Sequence, residues 1–203
     1  MYMRKIITIT FVTLDGVMQA PGGSKEDTAE GFKYGGWQLG SGLDDAVSDK
    51  IMAKFMTAPF DLLLGRITYD IWVGYWPDHK DEPTWGKPFD EATKYVVSHK
   101  TPKLSWNNSV LITGDVVAAI KKLKNSKGPD LVVWGSAKLI QTLLKNNLVD
   151  QMHIWTYPIT IGTGKKLFAE GTQPQHFKSV DSAITTKGVI IATYEPSKPL
   201  KKG

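Results

Sequence analysis

The sequence predicts a single α/β domain: a central, mostly parallel sheet flanked by helices, with an antiparallel hairpin at its C-terminal edge. Three observations carry this. Short β-rich runs alternate with helix-period segments along most of the 203 residues. The runs Leu62–Leu64 and Leu131–Trp134 are continuously apolar, as strands covered on both faces are. The last two β-rich runs flank Thr186-Lys187-Gly188, a hairpin signal with a turn longer than two residues.

The first strand is expected over 5–14, where Thr8, Thr10 and Thr13 stand among Ile7, Ile9, Phe11 and Val12. Asp15-Gly16 signals a turn, and Pro21-Gly22-Gly23 opens a loop that runs to Gly42. A loop of that length in a compact domain is usually functional, and 17–42 is the natural lid of a site. A helix follows over 43–57, containing Asp44, Asp45 and Asp49. Asp45 and Asp49 lie on a stripe with Met52 and Met56, where a carboxylate among apolar neighbours can hold a proton near neutrality.

A strand over 61–64 leads into a helix from Thr68 to Trp72. After a Pro-, Gly- and acid-rich loop, a helical turn near Phe89 to Thr93 precedes strands at 94–98 and 109–112. Asp115 caps a helix with apolar positions Val116, Val117, Ile120 and Leu123, stopped by Gly128-Pro129. The strand 131–134, the turn at Gly135 and the cap Ser136 open a helix whose buried face is Leu139, Ile140, Leu143 and Leu144. A strand over 151–157 precedes the hairpin. The domain is expected to span 1–195, with 196–203 a flexible basic tail.

Composition narrows the function. Apolar residues make up 41% and charged residues 22%, which is a globular composition. The absence of cysteine excludes disulfides, thiolate metal sites and a Cys nucleophile, and suits a reducing cytoplasm. The net charge of +5 falls to +2 without Lys198, Lys201 and Lys202 of the tail. The cluster Lys121, Lys122, Lys124 and Lys127 suits a helix C-terminus. Neither group reads as a nucleic-acid surface. No run is long enough to span a membrane, and the alternating threonines after Arg4-Lys5 read as a strand rather than a signal peptide.

Two strand–Gly–helix junctions stand out: Leu64-Gly65-Arg66 and Trp134-Gly135-Ser136. Glycine lets the backbone approach a ligand, and the amides that open the following helix attract an anion. Arg66 adds a fork of donors suited to phosphate. Two such junctions in one parallel sheet let a pyrophosphate lie between them. Rival motifs fail. "GTGKK" at 162–166 lacks the spacing of a phosphate-binding P-loop, and no GxGxxG follows the first strand. The four histidines show no ligand spacing, so no metal is expected, and there is no GxSxG elbow.

The segments "ITFVTLDGVMQAP", "LLLGRITYDIW", "YVVSHK" and "VVWGSAKLIQTLLKNNLVDQMHIWTYPITIGTGKKLF" occur in an order that resembles the dihydrofolate reductase-like superfamily. Within it they are most similar to the RibD C-terminal domain of riboflavin biosynthesis reductases, over about residues 4 to 195. The resemblance implies a dihydrofolate reductase-like fold, NADPH as cofactor and a homodimer. It implies that Gly65, Arg66 and Thr68 contact cofactor phosphate and that Gly135, Ser136 and Ala137 cradle the pyrophosphate, with Ser136 in place of a second glycine. It puts Ser98, with Lys100 beside it, at the 2′-phosphate, and Thr13, Leu14 and Gly16 at the nicotinamide end. Counting back from Gly65, it puts Asp49 where a catalytic carboxylate stands, with Asp45 as the alternative and water as a third proton source.

The reading is an NADPH-dependent oxidoreductase that passes a hydride to a small heterocyclic or carbonyl/imine substrate of pyrimidine or pterin type. It resembles the 5-amino-6-(5-phosphoribosylamino)uracil reductases and dihydrofolate reductases. Trp37, Tyr69, Trp72 and Tyr157 are candidates for the substrate wall. Without a zinc-deaminase HxE…PCxxC pattern, a dedicated riboflavin role does not follow. The rival is a non-catalytic nucleotide or small-ligand binding protein on the same fold.

Overall fold

The computed structural model describes residues 3–40 and 45–200. At the centre of its sheet lies β1 (Ile6–Thr13). It runs parallel to β5 (Asp130–Trp134) on one side and β6 (Gln151–Tyr157) on the other. Beyond β5 come β2 (Phe60–Gly65), β3 (Lys94–Val97) and β4 (Ser109–Ile112), all parallel. Beyond β6 come β8 (Ile190–Pro199) and β7 (Gln175–Ile184), both added antiparallel. The order among the described residues is β4-β3-β2-β5-β1-β6-β8-β7, so the expected α/β architecture with an antiparallel hairpin edge is the one observed.

The continuous apolar runs are explained by burial on both faces. Leu63, Leu131 and Val133 pack with Ile120 of α4 (Val116–Lys124) and with Leu139, Ile140, Leu143 and Leu144 of α5 (Ala137–Lys145). Leu62, Leu64, Val132 and Trp134 join a second cluster. Its helical members are Met52 and Met56 of α1 (Ala46–Thr57), Tyr69 of α2 (Arg66–Val73) and Phe89 of α3 (Gly86–Glu91). Each fully buried Leu or Ile contributes about 1.5–3 kcal/mol, so the 2-period of β2 and β5 binds helices to both faces at once.

Several boundaries differ from expectation for local reasons. The helix α1 begins at Ala46, with Asp45 accepting from the Val47 amide at 2.9 Å; residues 43 and 44 lie outside the described residues. Its buried stripe is Ser48, Met52 and Met56, while Asp49, one position round the helix, is exposed. The helix α3 starts three residues before the expected turn. There the Glu82 carboxylate accepts from the amides of Thr84, Trp85 and Gly86. Gly86 is required at this point, since a Cβ there would stand 1.8 Å from the His79 carbonyl oxygen. The expected flexible tail is corrected in part: β8 runs to Pro199, paired with Gln175, and the Ser197 hydroxyl donates to the His176 carbonyl at 3.1 Å. Among the described residues, no helix is long and apolar enough to cross a membrane.

Candidate active site

The C-terminal ends of β2 and β5 lie side by side and turn into α2 and α5. At Ser136 the chain takes the left-handed conformation, with φ 57° and ψ 51°. This turns its side chain away from the helix it opens and toward β2. The Ser136 hydroxyl accepts from the Gly65 amide at 3.0 Å and donates to Thr68 Oγ1 at 2.9 Å. The expectation that Ser136 caps α5 is therefore corrected: it holds the N-cap position but makes no side-chain cap, and it ties the two junctions together instead. A Cβ on Gly65 would meet Ser136 Cβ and Oγ at 3.3 Å, which is why the approach is this close.

Of the five α-helices among the described residues, two carry a side-chain cap. Asp45 and Asp115 cap α1 and α4 with side-chain hydrogen bonds. The helices α2 and α5 have no side-chain cap, and both begin at the same cavity. Their first-turn amides are thus free of a competing side chain where an anion would be held.

The cavity has a volume of about 1080 Å³, at the upper end of the roughly 300–1,000 Å³ usual for small-molecule sites. One side is formed by the two junctions, by Ser98 and His99 at the end of β3, and by Lys138. Arg66 lines it half-buried, its Nε donating to Asp70 Oδ1 at 2.6 Å.

The loop expected to be a lid lines the cavity from Met18 to Asp27 and again at Gln38 and Leu39. Buried Gln19 fixes it. Its Nε2 donates to the carbonyls of Asp27 and Ala29 at 3.1 Å, and its Oε1 accepts from the Lys165 amide at 3.0 Å. Lys165 Nζ reaches Asp27 Oδ2 at 2.6 Å, and Trp37 Nε1 donates to the Gln19 carbonyl at 2.7 Å. Glu26 is the other lid carboxylate on the cavity lining. Its Oε2 accepts from the amides of Gly22 and Gly23 at 2.7 and 3.1 Å. Burial pushes its pKa up, with Asp27 adding to the rise and the two amides opposing it.

A further part of the lining is aromatic. Trp134, the last residue of β5, has Phe11, Trp72, Trp85 and Phe89 around it at ring-centroid distances of 5.9–6.3 Å. Trp76 packs on Phe89 at 5.0 Å. All six rings line the cavity.

The structure brings together Gly65, Arg66, Thr68, Ser98, Gly135, Ser136, Ala137 and Trp72 around this cavity. The other expected site residues do not line this cavity. Lys100 is exposed off the lining, and His99 lines the cavity in its place. Thr13, Leu14 and Gly16 belong to the turn after β1. Thr13 Oγ1 donates to Asp15 at 2.6 Å and accepts from the Val17 amide at 3.0 Å, and Leu14 is exposed. Gly16 has φ 82° and its carbonyl accepts from the Leu167 amide. The part of the chain around β1 that lines the cavity is Thr10, Phe11 and Met18 to Ala20.

Tyr69 is core: it is the buried residue of α2, and its hydroxyl accepts from the Trp106 amide at 3.0 Å. Trp37 and Tyr157 pack on each other at 5.4 Å, with Tyr157 fully buried, and neither lines the cavity. Asp49 is exposed and off the lining. Asp45 is committed to structure. Its carboxylate also accepts from the Thr186 amide at 2.8 Å and from the Thr186 hydroxyl, and these bonds hold its pKa below the ordinary carboxylate value. No sequence pattern marked Glu26, Trp85 or Lys138; only Trp134, immediately before Gly135, carried a positional signal.

The chain matches the RibD C-terminal domain family over residues 4–191. It is 28% identical over 197 residues to the uncharacterized protein YyaP of Bacillus subtilis, covering 94% of each chain. Its fold is similar to that of a protein assigned to riboflavin biosynthesis from Shewanella sp. PV-4, with a TM-score of 0.71 and 22% identity over 96% of this chain and 99% of that one. It is also similar to the dihydrofolate reductase of Enterococcus faecalis complexed with NADP(H), with a TM-score of 0.62 and 15% identity over 98% of this chain and 100% of that one.

Proposed function

The chain belongs to the RibD C-terminal domain family, and we propose that it is an NADPH-dependent reductase of a small heterocyclic or carbonyl/imine substrate. The observation that carries the reading is the pair of junctions joined through Ser136 at one cavity. The residues fit a dinucleotide. Both helix starts are uncapped, and a Cβ on Gly135 would stand 3.7 Å from Thr68 Oγ1, in the space between the junctions. Arg66, Thr68, Ser136 and Ala137 would hold the phosphates, with Ser98 and His99 toward a 2′-phosphate.

When bound, NADPH supplies the hydride. The chain's own part is alignment, exclusion of water and a proton. Trp134 and Phe11 line the part of the cavity against which the acceptor would be oriented, and the lid from Gln19 to Asp27 covers the reaction. Glu26 is the carboxyl that can deliver a proton: it lines the cavity, its Oε2 is occupied by two amides, and burial favours its protonated form.

We also propose a homodimer in a reducing cytoplasm. Val180, Ile184 and Ile190 are exposed on the terminal hairpin, where a second copy would cover them. The reductase reading is tested by following loss of the reduced-nicotinamide absorbance with a panel of quinones, pterins and imines. Acceptor-dependent loss supports it. NADPH binding with no loss for any acceptor supports a non-catalytic binding protein instead.

A further inference from the structure

Glu26 stands in a segment that burial cannot hold. Residues 22–28 read GGSKEDT, without one apolar side chain. The returning arm of the lid is different: Phe32 is buried with Val17 and Ala20, and Trp37 and Ile161 pack against them. The turn that carries Glu26 is closed by its own polar bonds. The Gly22 and Gly23 amides donate to Glu26 Oε2, and the Glu26 amide donates to the Gly23 carbonyl at 3.1 Å. Two glycines lose much conformational freedom when such a turn is ordered, so the turn needs an anchor outside the segment. The next residue, Asp27, receives it. Its Oδ2 accepts from Lys165 Nζ at 2.6 Å and its carbonyl from Gln19 Nε2 at 3.1 Å.

Lys165 is itself fixed through the backbone. Its carbonyl accepts from the Met18 amide at 2.8 Å, and its own amide donates to Gln19 Oε1 at 3.0 Å. Beside it Lys166 bridges to Val17, and the Leu167 amide donates to the Gly16 carbonyl at 3.0 Å. The ammonium thus reaches from the exit of β1 to the far end of the arm. The two side chains of the pair are only 21% and 15% exposed, where a charge-assisted bond is stronger than in water. Among the described residues, no other cation pairs with Asp27 or Glu26.

We propose that Lys165 is the positioning residue of the proton donor: its ammonium, through Asp27, pins the segment that presents Glu26 to the cavity. Lys165 touches no reacting atom in this role. The inference deepens the reductase reading and rests on it for the proton step alone; the pinning of the segment stands without it. Because the backbone bonds of Lys165 survive a change of side chain, substitution there tests the ammonium by itself.

The test takes two readouts on the full chain. Hydrogen exchange of the Gly22 and Gly23 amides, followed by NMR, reports the pinning without any acceptor. Lys165→Met and, separately, Asp27→Asn should each speed that exchange at least about tenfold while the amides of β1 and β6 keep their protection. Lys165→Arg, which keeps the charge, should stay within about threefold of the parent. Using two disruptive variants guards against one that fails to fold. The second readout is kcat with whichever quinone, pterin or imine the parent reduces. Lys165→Met should lower it roughly tenfold to a hundredfold, as a displaced reacting group does. In a Glu26→Gln background the same change should lower it no further, because both act on one proton. Unchanged exchange in the folded variants, or losses in kcat that multiply in the double variant, would overturn the inference. The reductase reading fails separately: faster exchange in a chain that reduces no acceptor sustains the pin and removes the reaction.

Discussion

The Ser136 hydroxyl and the Gly65 amide meet at 3.0 Å across 71 residues of sequence, and the same hydroxyl donates a hydrogen bond to Thr68 Oγ1 at 2.9 Å. One left-handed serine thus joins the ends of two strands and the starts of two helices. Ser136→Ala leaves the Gly65 N–H without its partner and should cost about 1–3 kcal/mol of stability. Ser136→Gly loses the same bond but relieves the left-handed strain, so it should be roughly 1 kcal/mol more stable than the alanine variant. Urea unfolding of both variants checks the order.

In the proposed reaction the proton comes from the lid rather than from α1. Asp49→Asn should leave turnover within about twofold of the parent. Glu26→Gln should lower it by the roughly 10²–10⁴-fold that a positioned acid contributes. A general acid must be protonated to act, so the parent's kcat should fall as pH rises through the raised pKa of Glu26, and the glutamine variant should lose that limb. The pH profile of NADPH oxidation, with whichever acceptor supports it, distinguishes the two carboxylates.

Buried His153 titrates against the fold. It lies on β6 with Nε2 2.9 Å from Gln151 Oε1 and Nδ1 2.8 Å from Thr193 Oγ1, and Phe55 packs on its ring at 4.4 Å. Burial pushes its pKa down to about 4, with Asp181 offsetting part of the fall. The unfolded chain, near 6.5, binds the proton first. Stability from this residue is therefore full above about pH 6.5 and declines as pH falls toward 4, by about 3 kcal/mol at most. His153→Gln should flatten that decline in unfolding measured from pH 7 to 4.

The terminal hairpin should carry the dimer contact. Sedimentation of the parent should give twice the chain mass, and Ile184→Asp, on an exposed apolar position, should give the monomer with the fold intact.

Local chemistry was legible where it acts alone. The strands at 109–112 and 151–157 have the expected bounds, and Asp115 caps α4 as its position before Val116 suggests. Both Gly junctions were visible because each is a strand end, a glycine and a helix start in sequence. What they do together was not, since the Ser136–Gly65 bond depends on β5 lying beside β2. Tyr69 was a candidate for the substrate wall, and the helical turn buries it with its hydroxyl on the Trp106 amide. Glu26 gave no signal, because a lid acid among polar neighbours reads as solvated until the cavity behind it is known. The tail misled through its lysines: in its described part Pro196 pairs with Phe177 and Pro199 with Gln175, residues 201–203 lie outside the described residues, and a basic composition does not report that edge.

The proposed reductase stands on the joined junctions holding a phosphorylated dinucleotide. The most direct test is titration of the pure protein with NADPH and then NADH, with tryptophan emission and energy transfer to the reduced nicotinamide as the signals. The seven tryptophans, of which Trp72, Trp76, Trp85 and Trp134 line the cavity, provide the donors. The expected result is micromolar NADPH binding, on the order of −8 kcal/mol, with NADH much weaker and Arg66→Ala weakening NADPH by at least about tenfold. Binding of neither nucleotide, or NADPH binding that Arg66→Ala leaves unchanged, would contradict it and reduce the two glycine junctions to turn geometry.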